Sequence, residues 1–227
     1  MLALSGCIAL TELHPEIVYR SVETSGSPIA ENDQQAISNA AALQLVPGKR
    51  LKTELTADDP RYQGQYSLAN YKLFHFSVPE ESQYRIELRT LCNCFGVDKF
   101  IVYPVARVID SEGTTINDVW SYVGLRDPDW SYPVNILAVW EGSVDEAGDY
   151  YFLVHAYNDQ IGGTYLTYSD WSPGSRWLAE TIPGLADFHR ALSRIGMRAE
   201  EDPEHGDYPM WAYPTGKLAV TLTLEKR

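Results

Sequence analysis

The sequence predicts a mainly β domain, an antiparallel sandwich or barrel with a helical insertion near its C-terminus. Two observations predict the sheet part. From Pro47 onward at least seven short runs read as strands, several of them alternating apolar and polar residues, with turn-forming residues between them. The strand–helix–strand alternation that feeds a parallel sheet is missing from the order of these runs. A third observation predicts the insertion. Between Ser175 and Gly196, the residues Leu178, Ile182, Leu185, Phe188, Leu192 and Ile195 recur at spacings of three and four, which places them on one helix face.

Lys49–Leu55 alternates loosely. Asn70–Val78 puts Tyr71, Leu73, His75 and Ser77 on one face and Lys72, Phe74, Phe76 and Val78 on the other. The turn from Pro79 to Ser82 leads into Gln83–Leu91, with Tyr84, Ile86 and Leu88 inward and Arg85, Glu87 and Arg89 outward. Phe100–Ile109 is a long apolar run broken by Pro104, which predicts an edge or a bulge because proline cannot donate to a ladder. Asp110-Ser111-Glu112-Gly113 is a turn, and Val134–Trp140 is a strand. The turn from Glu146 to Asp149 opens Tyr150–Tyr157, and Gly162-Gly163 opens Thr164–Tyr168. Pro183 splits the helical stretch or opens its second half, Gly196 caps it, and an acidic loop runs from Glu200 to Asp207. The whole excursion is placed at about 172–212, before a final strand Gly216–Leu224.

The chain has 227 residues, 44% hydrophobic and 22% charged, a mix that can bury a core without metals or crosslinks. The net charge of −13 argues against nucleic acid, whose phosphates need clustered Lys and Arg. It argues equally against electrostatic docking on anionic lipid. The charge serves solubility, or in part a calcium site. No stretch reaches the roughly 18 apolar residues of a spanning helix, so the expected membrane contact is an anchor.

The first residues supply that anchor. Leu4-Ser5-Gly6-Cys7 resembles the bacterial lipobox, an aliphatic residue and two small ones before a cysteine. The resemblance implies a diacylglycerol thioether on Cys7, cleavage between Gly6 and Cys7, and acylation of the freed amine. Two or three acyl chains anchor stably where one binds only marginally. Residues 1–6 are then the truncated remnant of a signal peptide, which should carry a basic start and an apolar core of roughly 7–15 residues. Residues 7–45 are expected as a lipidated N-terminus and flexible tether. Ser21–Asn39 is rich in Ser, Glu, Asn, Gln and Ala without sustained periodicity, with a short helix near Ala36–Leu45. Residues 46–227 form the sandwich domain. The expected location is the bacterial cell envelope, outside the cytoplasm, on the outer membrane of a Gram-negative cell.

With Cys7 set aside, Cys92 and Cys94 remain as an even pair, as an oxidising compartment favours. Residues i and i+2 of a regular strand stand about 7 Å apart, too far for a disulfide. A Cys92–Cys94 bond therefore needs a tight turn, which Asn93 and Gly96 can supply. Two buried free thiols are the alternative. A zinc site with His75 or His155 is a third, at a spacing unlike a usual zinc knuckle.

Tyr71–Val78 followed by Pro79-Glu80 resembles the opening strand of the bacterial pre-peptidase C-terminal domain, and Gln83–Leu91 its next strand. Phe100–Tyr103 with Val108–Gly113 is similar to its D-x-x-L-x-V-x-D-x-x-G segment. Ala147–His155 is similar to its AGTYYVRV strand, and Gly163-Thr164-Tyr165-Leu166 to its closing G-x-Y-x-L. The resemblance covers about residues 65–170. It implies a jelly-roll-like β-sandwich that is non-catalytic; some relatives bind calcium or polymeric substrates. The aromatic stretch Thr114–Tyr132 is longer than the family loop, and the helical insertion has no counterpart in the family pattern.

The common catalytic signatures, G-x-S-x-G, H-E-x-x-H, the P-loop and G-x-G-x-x-G, do not occur. The five histidines, His14, His75, His155, His189 and His205, read as structural or loop residues. Trp120, Tyr122, Trp130, Tyr132 and Trp171 lie in or near loops, where aromatics stack on sugar rings, meet a partner or simply cover the core. Asp110, Asp127 and Asp129, with Asp118 and Asp159, sit in turns as candidate calcium ligands, although turns favour Asp for reasons of their own. The expected function is a non-catalytic, lipid-anchored binding module with a protein or polysaccharide partner and no cofactor beyond calcium. The alternatives are a lectin-like carbohydrate binder and a hydrolase with an unfamiliar site.

Overall fold

Side-chain alternation decides which face of each strand meets the core, and the computed structural model follows it closely. It describes residues 14–64, 67–79, 82–93, 99–126, 135–158, 164–169 and 207–226. These are mainly β. In chain order they comprise α1 (Pro15–Thr24), β1 (Ile29–Ala30), α2 (Asp33–Asn39), β2 (Leu43–Gln44), β3 (Arg50–Leu55), β4 (Arg61–Gln63), β5 (Leu68–Val78) and β6 (Ser82–Leu91). Then come β7 (Lys99–Ile101), β8 (Pro104–Asp110), β9 (Thr115–Asn117), β10 (Tyr122–Arg126), β11 (Asn135–Val144), β12 (Gly148–Ala156), β13 (Thr164–Ser169), β14 (Asp207–Ala212) and β15 (Gly216–Lys226).

One sheet has seven strands in the order β1-β4-β5-β12-β8-β9, with β2 also paired to β5. A second has five, β10-β11-β6-β15-β3, all antiparallel. Phe74, Phe76, Val108, Phe152 and Val154 of the first share one apolar cluster with Ile86, Leu88, Trp140, Val220 and Leu222 of the second. Trp140 meets Phe152 edge-to-face at 5.0 Å, and Phe76 meets Tyr84 at 6.2 Å, so the two sheets face each other directly. A small third sheet, β13-β14-β7, joins a parallel pair to an antiparallel one.

Pro104 is not a bulge, and among the described residues β9 reaches β8 only at Val108 and Ile109, so the stretch at Pro104 is paired on its β12 side alone. The residue opens β8, opposite Ala156 of β12, after the chain has left β7 in the third sheet. The proline marks a change of sheet, and the first residue of a strand is a place where a missing N–H costs little.

The tether expected over residues 7–45 is folded over its described part, residues 14–45. Val22, Ala30, Ala36 and Leu45 are buried, and Ala30 and Ala36 join Tyr62, Tyr71, Leu73, Ile109 and Leu153 in a second cluster on the outer side of the seven-stranded sheet. Polar contacts hold the segment as firmly. The Arg61 guanidinium donates to the carbonyls of Val22 (3.3 Å), Glu23 (2.9 Å) and Ser27 (2.7 and 3.1 Å), satisfying the C-terminal end of α1. The Tyr71 hydroxyl donates to Ala36 O at 2.8 Å. Asn32 Oδ1 caps α2 by accepting from Gln35 N at 2.9 Å. Composition misled because the buried positions are few, mostly small and not periodic, while their partners lie on distant strands. The described fold therefore includes residues 14–45, and the outer face of β5 is buried at Tyr71 and Leu73 as the inner face is at Phe74 and Phe76.

Gly113, in the turn between β8 and β9, has φ +83°. A Cβ there would lie 2.7 Å from the backbone nitrogen of Gln34 in α2. Glycine is required twice over, for the dihedral and for the close approach.

The amphipathic stretch Ser175–Gly196 lies outside the described residues. Asp207–Ala212, expected within the helical excursion, is strand β14, paired with β13 and β7. Its partners are remote in sequence, so no local periodicity announced the pairing.

Candidate functional site

The sequence-nominated residues fall into different settings. Cys7, Cys94, Trp130, Tyr132, Trp171, Asp127, Asp129 and Asp159 lie outside the described residues. Cys92, at the end of β6, is disulfide-bonded. A sulfur held in a disulfide is not a thiolate ligand, so zinc at Cys92 is ruled out in this state. His155 is buried and stacks on Tyr62 at 5.6 Å, with Nδ1 3.0 Å from Ala156 O. Asp110 Oδ1 accepts from Glu112 N (2.9 Å) and Thr114 N (2.8 Å), so this oxygen shapes its own turn.

The two described members of the aromatic set differ. Trp120 packs against the core, edge-to-face with Trp140 at 6.4 Å. Tyr122 is 39% exposed. Its ring lies over Gly124, where a Cβ would have to displace the hydroxyl end of the ring, and the Arg126 guanidinium sits 4.8 Å from the ring centroid.

Sequence reading did not single out two groupings that the fold assembles. The first is Ser77, His75 and Asp149 on the outer side of the seven-stranded sheet, brought together because Asp149 pairs with Ser77 and Tyr151 with His75. A Ser–His–Asp triad passes the hydroxyl proton to the imidazole and turns the other ring nitrogen to the carboxylate. Here the wiring differs. Ser77 Oγ donates to Asp149 Oδ1 at 2.6 Å. His75 Nε2 faces the same oxygen at 3.0 Å, and Nδ1 faces Gln44 Oε1 at 2.6 Å. A hydroxyl that donates to the carboxylate is not activated by the ring. The trio clasps β2, β5 and β12 together.

The hydrogen bonds from Ser77 and then His75 hold the Asp149 carboxyl below its ordinary range. A depressed folded-state pKa stabilises the fold above the unfolded carboxyl pKa of about 3.9, and that contribution is lost as pH falls through the folded value. Ser77→Ala is expected to raise the Asp149 midpoint in a carboxyl-detected NMR titration. An unchanged midpoint would show that the Ser77 bond is absent in solution.

The second grouping is a groove of about 420 Å³ on the outer side of the five-stranded sheet. Gln83 and Arg85 of β6, Glu141 and Ser143 of β11, and Thr223 and Glu225 of β15 line it. Register places Glu141, Arg85 and Thr223 in one cross-strand row and Ser143, Gln83 and Glu225 in the next. Arg85 pairs with Glu141 and with Glu87, the latter at 3.2 Å, and Arg89 donates to Asn135 Oδ1 at 3.0 Å. The outward alternation of Arg85, Glu87 and Arg89 was legible locally, whereas the row needed the register. Donors and acceptors stand side by side here, which suits hydrogen bonding to a polar ligand.

No family model and no curated protein matches the chain. Among solved structures, the pre-peptidase C-terminal domain of collagenase from Bacillus anthracis is similar at a TM-score of 0.30 and 11% identity, over 80% of this chain and 94% of that one. At those values the likeness assigns neither family nor role.

Proposed function

We propose that the chain is a non-catalytic module of the bacterial cell envelope, anchored by lipid on Cys7, whose jelly-roll-like β-sandwich binds a partner outside the cytoplasm. Leu4-Ser5-Gly6-Cys7 carries this reading. The disulfide at Cys92 supports it, since such bonds persist in oxidising compartments. The polar groove fits a hydroxyl-rich or peptide ligand, and it favours one variant of the proposal, a polysaccharide partner held by Gln83, Arg85 and Glu141 rather than by Trp120. The wiring of Ser77 to Asp149 gives the hydrolase alternative no support.

Mass spectrometry of protein from its native host tests the anchor. The expected N-terminal peptide begins at Cys7 and carries a diacylglyceryl thioether. An unmodified Cys7, still preceded by Gly6, would overturn it.

A further inference from the structure

A crevice of about 170 Å³ lies where the five-stranded sheet meets the small third sheet. Backbone hydrogen bonds frame it. Asn93 N donates to Phe100 O (2.8 Å), Phe100 N to Asn93 O (3.3 Å) and Tyr213 N to Ile101 O (3.0 Å). They join the end of β6, β7 and the segment before β15, so the crevice is preformed. Its apolar walls include Phe100 (5% exposed), Ile101 (4%) and Val102 (1%), and the Tyr213 ring, 4.8 Å from that of Phe100. A dry cavity of roughly 150 Å³ accepts benzene. The volume here therefore suits one ring or one branched aliphatic side chain.

The polar lining differs from that of the groove around Arg85. In the groove, Arg85 is already paired with Glu141 and Glu87. In the crevice, the side chains of Glu54, Asn93, Thr215 and Lys217 have no hydrogen bond or ion pair among the described residues. Glu54 of β3 and Lys217 of β15 are exposed and stand directly opposite each other in register. Cross-strand neighbours of this kind are about 4.5–5.5 Å apart at Cβ. One negative and one positive charge thus sit side by side at the mouth of an apolar crevice. A zwitterion with an apolar side chain matches both. A peptide does not, because its two terminal charges lie at opposite ends of the chain.

We propose that this crevice binds a free apolar α-amino acid. The side chain lies against Phe100 and Tyr213, the carboxylate meets Lys217 Nζ and the ammonium meets the Glu54 carboxylate. Asn93 and Thr215 carry donors for the same carboxylate. The site is separate from the polar groove and does not depend on the lipidation of Cys7.

The test is calorimetric titration of the full chain with L-leucine, N-acetyl-L-leucine and L-leucinamide. L-leucine is expected to bind saturably. The acetylated and amidated forms, each lacking one charge, are expected to bind more weakly by roughly tenfold or more, the usual weight of one charge-assisted bond. Lys217→Met is expected to weaken L-leucine by a similar factor and to leave L-leucinamide unchanged. Glu54→Gln is expected to weaken L-leucine and to leave N-acetyl-L-leucine unchanged. Both substitutions are at exposed positions, and an unaltered thermal melt checks that the fold is kept. Absence of saturable binding by L-leucine and by L-phenylalanine at millimolar concentrations overturns the proposal. So does L-leucine binding that neither substitution weakens. In an amide chemical-shift map, perturbations are expected at Asn93, Ile101 and Lys217. Perturbations at Gln83, Arg85 and Glu141 instead would assign the ligand to the groove and overturn the crevice as its site.

Discussion

Replacing Trp140 with alanine is expected to destabilise the fold by about 3–5 kcal/mol, the usual cost of truncating a large buried aromatic. Trp140 is fully buried, and it heads the largest buried side chains. It stands on β11, yet its ring meets Phe152 of the opposite sheet at 5.0 Å and Trp120 at 6.4 Å. Truncation therefore opens a cavity where both sheets and the segment before β10 converge, and no one element can collapse to fill it. Against a typical stability of about 5–15 kcal/mol, the loss is a large fraction. Trp140→Phe separates packing from polarity. Among the described residues the buried indole Nε1 has no hydrogen-bond partner, so phenylalanine removes an unsatisfied donor while keeping a ring against Phe152. Its expected cost is under about 1.5 kcal/mol. Urea unfolding at constant m reads both values. Equal midpoints for the two variants would show that the ring contact with Phe152 does not dominate.

Asp33→Ala is expected to cost about 2–3 kcal/mol and to release the N-terminal segment from the sheet. Asp33 opens α2. Its carboxylate accepts from Arg107 Nε (2.8 and 3.0 Å), from Arg107 Nη2 (2.5 Å) and from the Tyr62 hydroxyl (2.9 Å). The Arg107 guanidinium also lies 4.7 Å from the Tyr62 ring centroid. Both ion-pair side chains are mostly buried, so deleting the carboxylate leaves a desolvated cation without its partner. Burial pushes the Tyr62 phenol up to about 12, which keeps it a donor to Asp33 throughout the physiological range. The diagnostic readout is native-state proteolysis at the exposed residues Ala41 and Ala42, expected to be faster in the variant than global unfolding accounts for. Cleavage at the wild-type rate would mean that the other contacts of residues 14–45 hold the segment without this pair.

The same residues show what local reading captures. Tyr84, Ile86 and Leu88 point inward and Arg85, Glu87 and Arg89 outward, because alternation follows from the pleat of one strand. Phe74, Phe76 and Val78 share one face for the same reason, and that face is the core. The other face, Tyr71 and Leu73, is buried under α2, which nothing in β5 could announce. The turn at Asp110 was readable because its hydrogen bonds close within four residues.

Strand positions, facing and turns were therefore written in the chain, since each depends on backbone geometry and neighbours a few residues away. The pairing of Asp33 with Arg107, 74 positions apart, the meeting of Ser77 with Asp149, 72 apart, and the groove row Glu141–Arg85–Thr223 were not. These depend on register, and register comes from the packing of distant strands against one another. The N-terminal segment is the clearest case. Its own residues are too polar to order themselves, and it folds because Arg61, Tyr71 and Arg107 reach it from strands already held by the core.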